Sequence, residues 1–186
     1  AALLIGGIWL KKNGYSEGLR FAETGRYWLE NRALRLIGSQ GSFSQSSLNY
    51  HRLMLDTFCI AEVWRQNWEQ PKFSKQCYQR LHAAAEWLRH IVEPSTGHAP
   101  NLGANDGARI LPLTATRYQD YRPTVQLSSV LFSNNFASSY CSLVCILNIL
   151  SVRIRSRFPP VCNKFGRKRY DIAVRLRLRR LIIYVF

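Results

Sequence analysis

Through the first three quarters of the chain, apolar residues recur at three- and four-residue spacing between short polar turns. This predicts one helix over Ala2 to Lys12, ended by Asn13-Gly14. A second runs from Tyr15 or Ser16 to about Ile37 through Leu19, Ala22, Tyr27, Leu29, Ala33 and Leu36. Gly38 to Gly41 breaks the pattern. A third helix is expected from Ser44 or Ser47 to Trp68, with Leu48, Leu55, Phe58, Cys59 and Val63 on its apolar stripe and Arg52, Asp56 and Arg65 off it. Pro71 stops that helix, and a fourth follows from about Ser74 to Val92, with a serine at its start and Glu93-Pro94 at its end. Its apolar face is Cys77, Leu81, Ala84, Trp87, Leu88 and Ile91.

The texture then changes. Ser95 to Tyr121 is rich in Gly, Pro, Asn and Asp and too long to be a mere connector, and long ordered loops often carry function. Arg122-Pro123 opens a last helix, with proline in its first turn and Val125 to Phe132 continuing it. No heptad persists and no β-alternation is convincing before residue 133. The expected fold is therefore all-α, an assembly of helical hairpins.

Composition divides the chain in two. With 47% hydrophobic residues and five tryptophans among 186 residues, there is enough apolar material for one ordinary domain with a real core. The formal charge of +15 is uneven: residues 1–132 carry 15 Lys/Arg against 10 Asp/Glu, whereas residues 133–186 carry 11 against the single Asp171. That tail contains no Glu and almost no Ala. Its apolar run from Tyr140 to Val152 is shorter than the roughly 20 residues of a spanning helix, so no transmembrane span is expected. GRKRY and RLRLRR could bind phosphates by charge, but no recognition fold accompanies them, and no nucleic-acid partner is expected. The abrupt loss of acidic residues fits translation out of the ancestral frame better than it fits an anchor or a basic tail. The start, AALLIGGIWLKK, lacks the basic flank and cleavage site of a signal peptide and reads as a helix entered midway.

Candidate chemistry narrows the picture. Cys59, Cys77, Cys141, Cys145 and Cys162 form no CxxC pair, and His82, His90 and His98 have no ligand spacing, so neither a metal nor a cofactor is indicated. Two stretches remain: GSFSQSSLNYHRLML over Gly41 to Leu55, and NLGANDGARILPL over 101–113. The first, a Gly-Ser-Phe break followed by Gln, Ser and then Tyr-His ahead of a Leu-rich helix, resembles the heparinase II/III-like polysaccharide lyases and their alginate-lyase relatives. The 101–113 stretch is similar to that family's Gly-Asn/Asp-Asp-Gly-Arg loop. With YRPTVQL after them, the similarity covers residues 1–131 in order.

The resemblance implies an incomplete (α/α) toroid over residues 1–132, followed by a β-sandwich that this chain lacks. It implies a periplasmic or secreted enzyme, acting by β-elimination on an anionic, uronic-acid-containing polysaccharide. Such a reaction needs a partner for the uronate carboxylate, a base for the C5 proton and an acid for the leaving oxygen. By resemblance Tyr50 and His51 are the catalytic pair, with Gln45, Asn49, Arg52, Asn105, Asp106 and Arg109 as substrate contacts. Tyrosine ionises only near pH 10, so the expectation includes a cation beside Tyr50: Arg52, Arg109 or a protonated His. The family's Asn-His motif would lie before Ala1, and the histidine of its sheet domain is absent.

Taken on the residues alone, the same positions have plainer readings. Tyr50 and His51 diverge by about 100° on a helix and cannot aim at one atom. Asp106-Gly107 is a common turn, Asn105 can accept a left-handed conformation, and Arg109 can tie the loop to a helix end. Trp9, Trp28, Trp64, Trp68 and Trp87 read as core before they read as sugar-stacking platforms. A non-catalytic carbohydrate-binding or scaffold remnant, and a basic adaptor working through residues 153–180, stand as alternative functions.

Overall fold

A computed structural model of the chain describes residues 1–112 and 114–132; the tail expectations fall outside them. The described residues contain five helices and no strand: α1 (Ala2–Lys12), α2 (Glu17–Leu36), α3 (Leu48–Asn67), α4 (Lys75–Ile91) and α5 (Arg122–Phe132). The all-α expectation holds. Ser47 and Ser74 cap α3 and α4, each side chain accepting a backbone N–H three residues on, from Tyr50 and Cys77.

Helix direction alternates. Glycines bring α1 and α2 together so closely that a Cβ on Gly7 would lie 2.3 Å from the Ala22 nitrogen. One on Gly18 would lie 2.2 Å from the Lys11 nitrogen, and one on Gly25 2.3 Å from the Leu4 nitrogen. These three pairs define an antiparallel register held backbone against backbone. Glu62 with Tyr78 and His51 with Ala84 make α3 and α4 antiparallel. Asp56 bonds Thr124, and Cys59 shares a small apolar cluster with Leu127, so α5 runs parallel to α3. The Arg26 guanidinium donates to the Pro71 and Lys72 carbonyls, and Glu30 accepts the Ser74 N–H, which sets α2 parallel to α4. Leu4, Ile8, Leu29, Leu55, Phe58, Leu81, Leu88 and Val125 belong to one continuous core.

Three features depart from the hydrophobic pattern. Leu19 and Tyr27, expected on the inner face of α2, are exposed, because the seam against α1 belongs to Gly18, Ala22, Gly25, Leu29 and Ala33. Arg52, Asp56 and Arg65, expected off the stripe of α3, are buried. Helix α3 is packed on several sides, and each of these side chains bonds at least one partner, while Asp56 Oδ2 and Arg52 Nε stay unbonded: Arg65 forks onto Glu62 through two 2.7 Å bonds, and Glu62 also accepts Tyr78 Oη at 2.9 Å. Trp9 and Trp28 stand out in solvent, outside the core expected of them.

The glycine register makes a direct prediction. Gly25→Ala forces α1 and α2 apart against rigid backbone and is expected to destabilise the domain by about 2 kcal/mol in urea unfolding. Thr24→Ala, on the exposed side of the same helix, is expected to change nothing. Equal stability of the two variants would refute the register.

Candidate functional site

Loop 95–121 folds back over the N-terminal end of α3. The Leu48 N–H donates to the Leu102 carbonyl at 3.1 Å and Ser47 Oγ to the Ala104 carbonyl at 2.5 Å. Gly103 sits in the left-handed region at φ 71°, and a Cβ there would lie 2.2 Å from the Ser46 carbonyl oxygen. Only glycine lets the loop approach this closely.

That approach brings the two stretches together. Tyr50 Oη donates to Asp106 Oδ2 at 2.9 Å and Asn49 Nδ2 to Asp106 Oδ1 at 3.0 Å. Asn49 Oδ1 accepts from Arg52 Nη2 at 2.9 Å and lies 2.7 Å from Tyr118 Oη, which is also 2.6 Å from Asn105 Oδ1. One phenolic proton serves only one of those two acceptors at a time. Arg52 is the keystone beneath this face. Its Nη1 donates to the Tyr118 carbonyl at 2.6 Å, and its guanidinium lies between the Tyr118 and Tyr121 rings, 4.3 and 4.4 Å from their centroids.

The other expected site residues divide. Asn105 and Asp106 lie on the exposed loop; Asp106 Oδ1 also accepts the Ala108 N–H at 3.0 Å and Asn105 Oδ1 the Gly107 N–H at 3.1 Å. Gln45 is exposed on the approach to α3. Asn105 is not left-handed, since positive φ outside glycine among the described residues occurs at Ser46 and Glu69. Arg109 ties the loop to itself, not to a helix end, donating to the Thr116 carbonyl at 3.0 Å.

His51 faces the other way. It is buried, its Nε2 lies 3.0 Å from the Ala84 carbonyl, and its ring stacks on Trp87 at 4.7 Å. A carbonyl accepts only, so Nε2 carries the proton. Burial pulls the imidazole down from 6.5 to about 4, which makes it a neutral packing group at physiological pH.

The cation expected beside Tyr50 is therefore an anion. Hydrogen bonding to Asp106 raises the Tyr50 hydroxyl above its ordinary value, and the Ala108 N–H followed by Tyr50 itself holds the Asp106 carboxyl below its own. Tyr50 stays a phenol and Asp106 a carboxylate. Arg52 and Arg109 are committed to loop carbonyls, and His51 is neutral.

No motif gave a role to Tyr118, and Tyr121 and Thr124 lie in the YRPTVQL run without one. The signal for the two tyrosines was Arg52 itself, a guanidinium one turn before Asp56 on a largely buried helix, which needed aromatic faces or carbonyls from elsewhere. Among the described residues no three His, Cys, Asp or Glu side chains gather as a metal site, and no helix is long and apolar enough to cross a membrane. No family model, curated protein or solved structure matches the chain.

Proposed function

We propose that the Tyr50 face binds an anionic, uronic-acid-containing polysaccharide, and that the chain is the helical part of a periplasmic or secreted lyase-like protein acting by β-elimination. The observation that carries this reading is the meeting of the two sequence stretches, with Tyr50 Oη on Asp106 Oδ2 at 2.9 Å and Asn49 and Asn105 beside them. The Asn105 amide, the Asp106 carboxylate and the tyrosines offer an exposed cluster that suits sugar hydroxyls, while Asn49, 1% exposed, does not reach a ligand and instead positions Asp106 from beneath. The alternation of α1, α3 and α5 against α2 and α4 is the pattern that an (α/α) toroid repeats, and a β-sandwich would complete it.

Within that reading the Asp106 carboxylate takes the C5 proton while Tyr50, held protonated, gives its own to the leaving glycosidic oxygen, and the proton on Asp106 then returns to Tyr50 across their 2.9 Å hydrogen bond. His51 takes no part. Incubating the chain with alginate and with heparan sulfate should produce the ultraviolet absorbance of an unsaturated uronide. Tyr50→Phe should reduce the rate at least ~100-fold while leaving binding in affinity electrophoresis intact. An unchanged rate in that variant would remove Tyr50 from the chemistry.

One observation favours a different reading, a carbohydrate-binding remnant without turnover. The guanidinium nearest the face, Arg52, is 1% exposed and cannot reach a uronate carboxylate. Retarded migration in either polysaccharide with no unsaturated product would select it, and absence of both binding and product would refute both readings.

A further inference from the structure

Another polar concavity lies where α2 ends and shares no residue with the Tyr50 face. Residues 38–44 turn back on themselves there: the Gly38 N–H donates to the Ser42 carbonyl at 2.8 Å and the Ser44 N–H to the Leu36 carbonyl at 2.9 Å. Ile37 and Phe43 form an isolated antiparallel bridge across the turn. Gly41, at φ 91°, presses this turn onto α4, where a Cβ would lie 2.1 Å from the Ala83 carbonyl oxygen. One helical turn before Ala83 and Ala84, Arg80 therefore projects from the same side of α4 toward the turn.

Between them is an open cleft of about 440 Å³, lined among others by Arg35, Gly38, Ser39, Ser42, Ser44 and Arg80. No carboxylate lines it. The Leu36 and Ser42 carbonyls in its wall already accept backbone N–H groups, and Gly38 keeps the interior open, since a Cβ there would lie 2.8 Å from Ser42 Oγ. Among the described residues, neither guanidinium forms a hydrogen bond or ion pair and none of the three serine hydroxyls has a side-chain partner. A cleft offering two uncommitted cations, three hydroxyls and no acid is furnished with donors for an acceptor-only ligand.

We infer that this cleft is an oxyanion-binding site, taking a phosphate or sulfate group between Arg35 and Arg80 with the Ser39, Ser42 and Ser44 hydroxyls around it. Its volume exceeds what the bare anion fills and leaves room for the group that carries it. The site stands independently of what the Tyr50 face does.

The test is an NMR titration of the full chain with inorganic phosphate, inorganic sulfate and glucose 6-phosphate, against sodium chloride at equal ionic strength. Saturable shifts of the Ser39, Ser42 and Ser44 amides at about millimolar ligand are expected, with about tenfold weaker binding in Arg80→Gln and in Arg35→Gln. Arg20→Gln, a charge-matched change elsewhere on α2, should leave the affinity unaltered. Tighter binding of the ester than of the inorganic ion supports the site as one for a phosphorylated or sulfated molecule, and equal binding supports it as one for the free ion. The same shifts with chloride, or equal loss of affinity in Arg20→Gln, would overturn the inference.

Discussion

Arg52→Ala is expected to lower the unfolding free energy by about 4 kcal/mol, a large share of the roughly 5–15 kcal/mol that holds a domain of this kind together. The residue is 1% exposed and serves several elements at once. Truncation strips the Tyr118 carbonyl of the donor at 2.6 Å and Asn49 Oδ1 of the donor at 2.9 Å, and it empties the space between two tyrosine rings. An acceptor left unpaired costs about 1–3 kcal/mol, which falls on the part-buried Tyr118 carbonyl, since Asn49 Oδ1 keeps the Tyr118 hydroxyl at 2.7 Å; loss of the cation from two aromatic faces and of the packing between them adds to that. Arg52→Lys restores the charge without the planar fork and is expected to recover less than half of the loss. Urea unfolding of the three proteins measures this, and an Arg52→Ala variant within about 1 kcal/mol of the parent, a margin well below the expected loss, would show that the guanidinium supports nothing.

Asp56→Asn should change the pH dependence of stability rather than its level alone. Asp56 is buried between α3 and α5; its Oδ1 accepts Thr124 Oγ1 at 2.8 Å and its Oδ2 has no partner. Burial raises the carboxyl from 3.8 to about 7, against the opposing pull of Thr124, Arg52 and Arg109. A raised carboxyl favours the folded state fully below the unfolded value and loses that contribution as pH climbs toward 7. His51 has the opposite sign: its value falls from 6.5 to about 4, so its contribution is complete above 6.5 and is lost as pH drops. Between about pH 4 and 6.5 the two slopes oppose each other at roughly 1.4 kcal/mol per pH unit each.

Asparagine can still accept the Thr124 hydroxyl but cannot titrate. In Asp56→Asn the histidine slope stands alone, and stability should climb by about 3 kcal/mol relative to the parent between pH 4 and 6.5. Urea midpoints at several pH values across that interval measure it. Parallel curves for parent and variant would mean that Asp56 is not held neutral.

The helices were legible because their punctuation is local. Ser47, Ser74, Asn13-Gly14 and Pro71 act within a turn of where they stand, and the observed ends fall within a few residues of those marks. The burial of Arg52, Asp56 and Arg65 was not, because an apolar stripe describes one neighbour and α3 has several. The seam of α2 escaped for a related reason: close helix packing selects small residues, so Gly18, Ala22 and Gly25 mark the contact while Leu19 and Tyr27 flank it. For the site, motif order foretold that Tyr50 and Asp106 belong together. It could not foretell their electrostatics, since the sign of a tyrosine's neighbour depends on how Gly103 lets the loop descend. His51 shows the same limit, because a residue next to Tyr50 in sequence is turned onto Ala84 and Trp87 by helical rotation.

The glycine hairpin and the Tyr50 face also differ in when they can form. Leu4 meets Gly25 within a single hairpin, whereas Tyr50 meets Asp106 across 56 positions and Tyr118 meets Asn49 across 69. Closing the longer loops costs chain entropy before any contact offsets it, so local pairings lead and distant ones follow. On a growing chain, α1 and α2 are complete long before residues 101–118 have been made. Until then the N-terminal end of α3 is bare, and the face around Tyr50 comes into being late, with only α5 still to be made and docked.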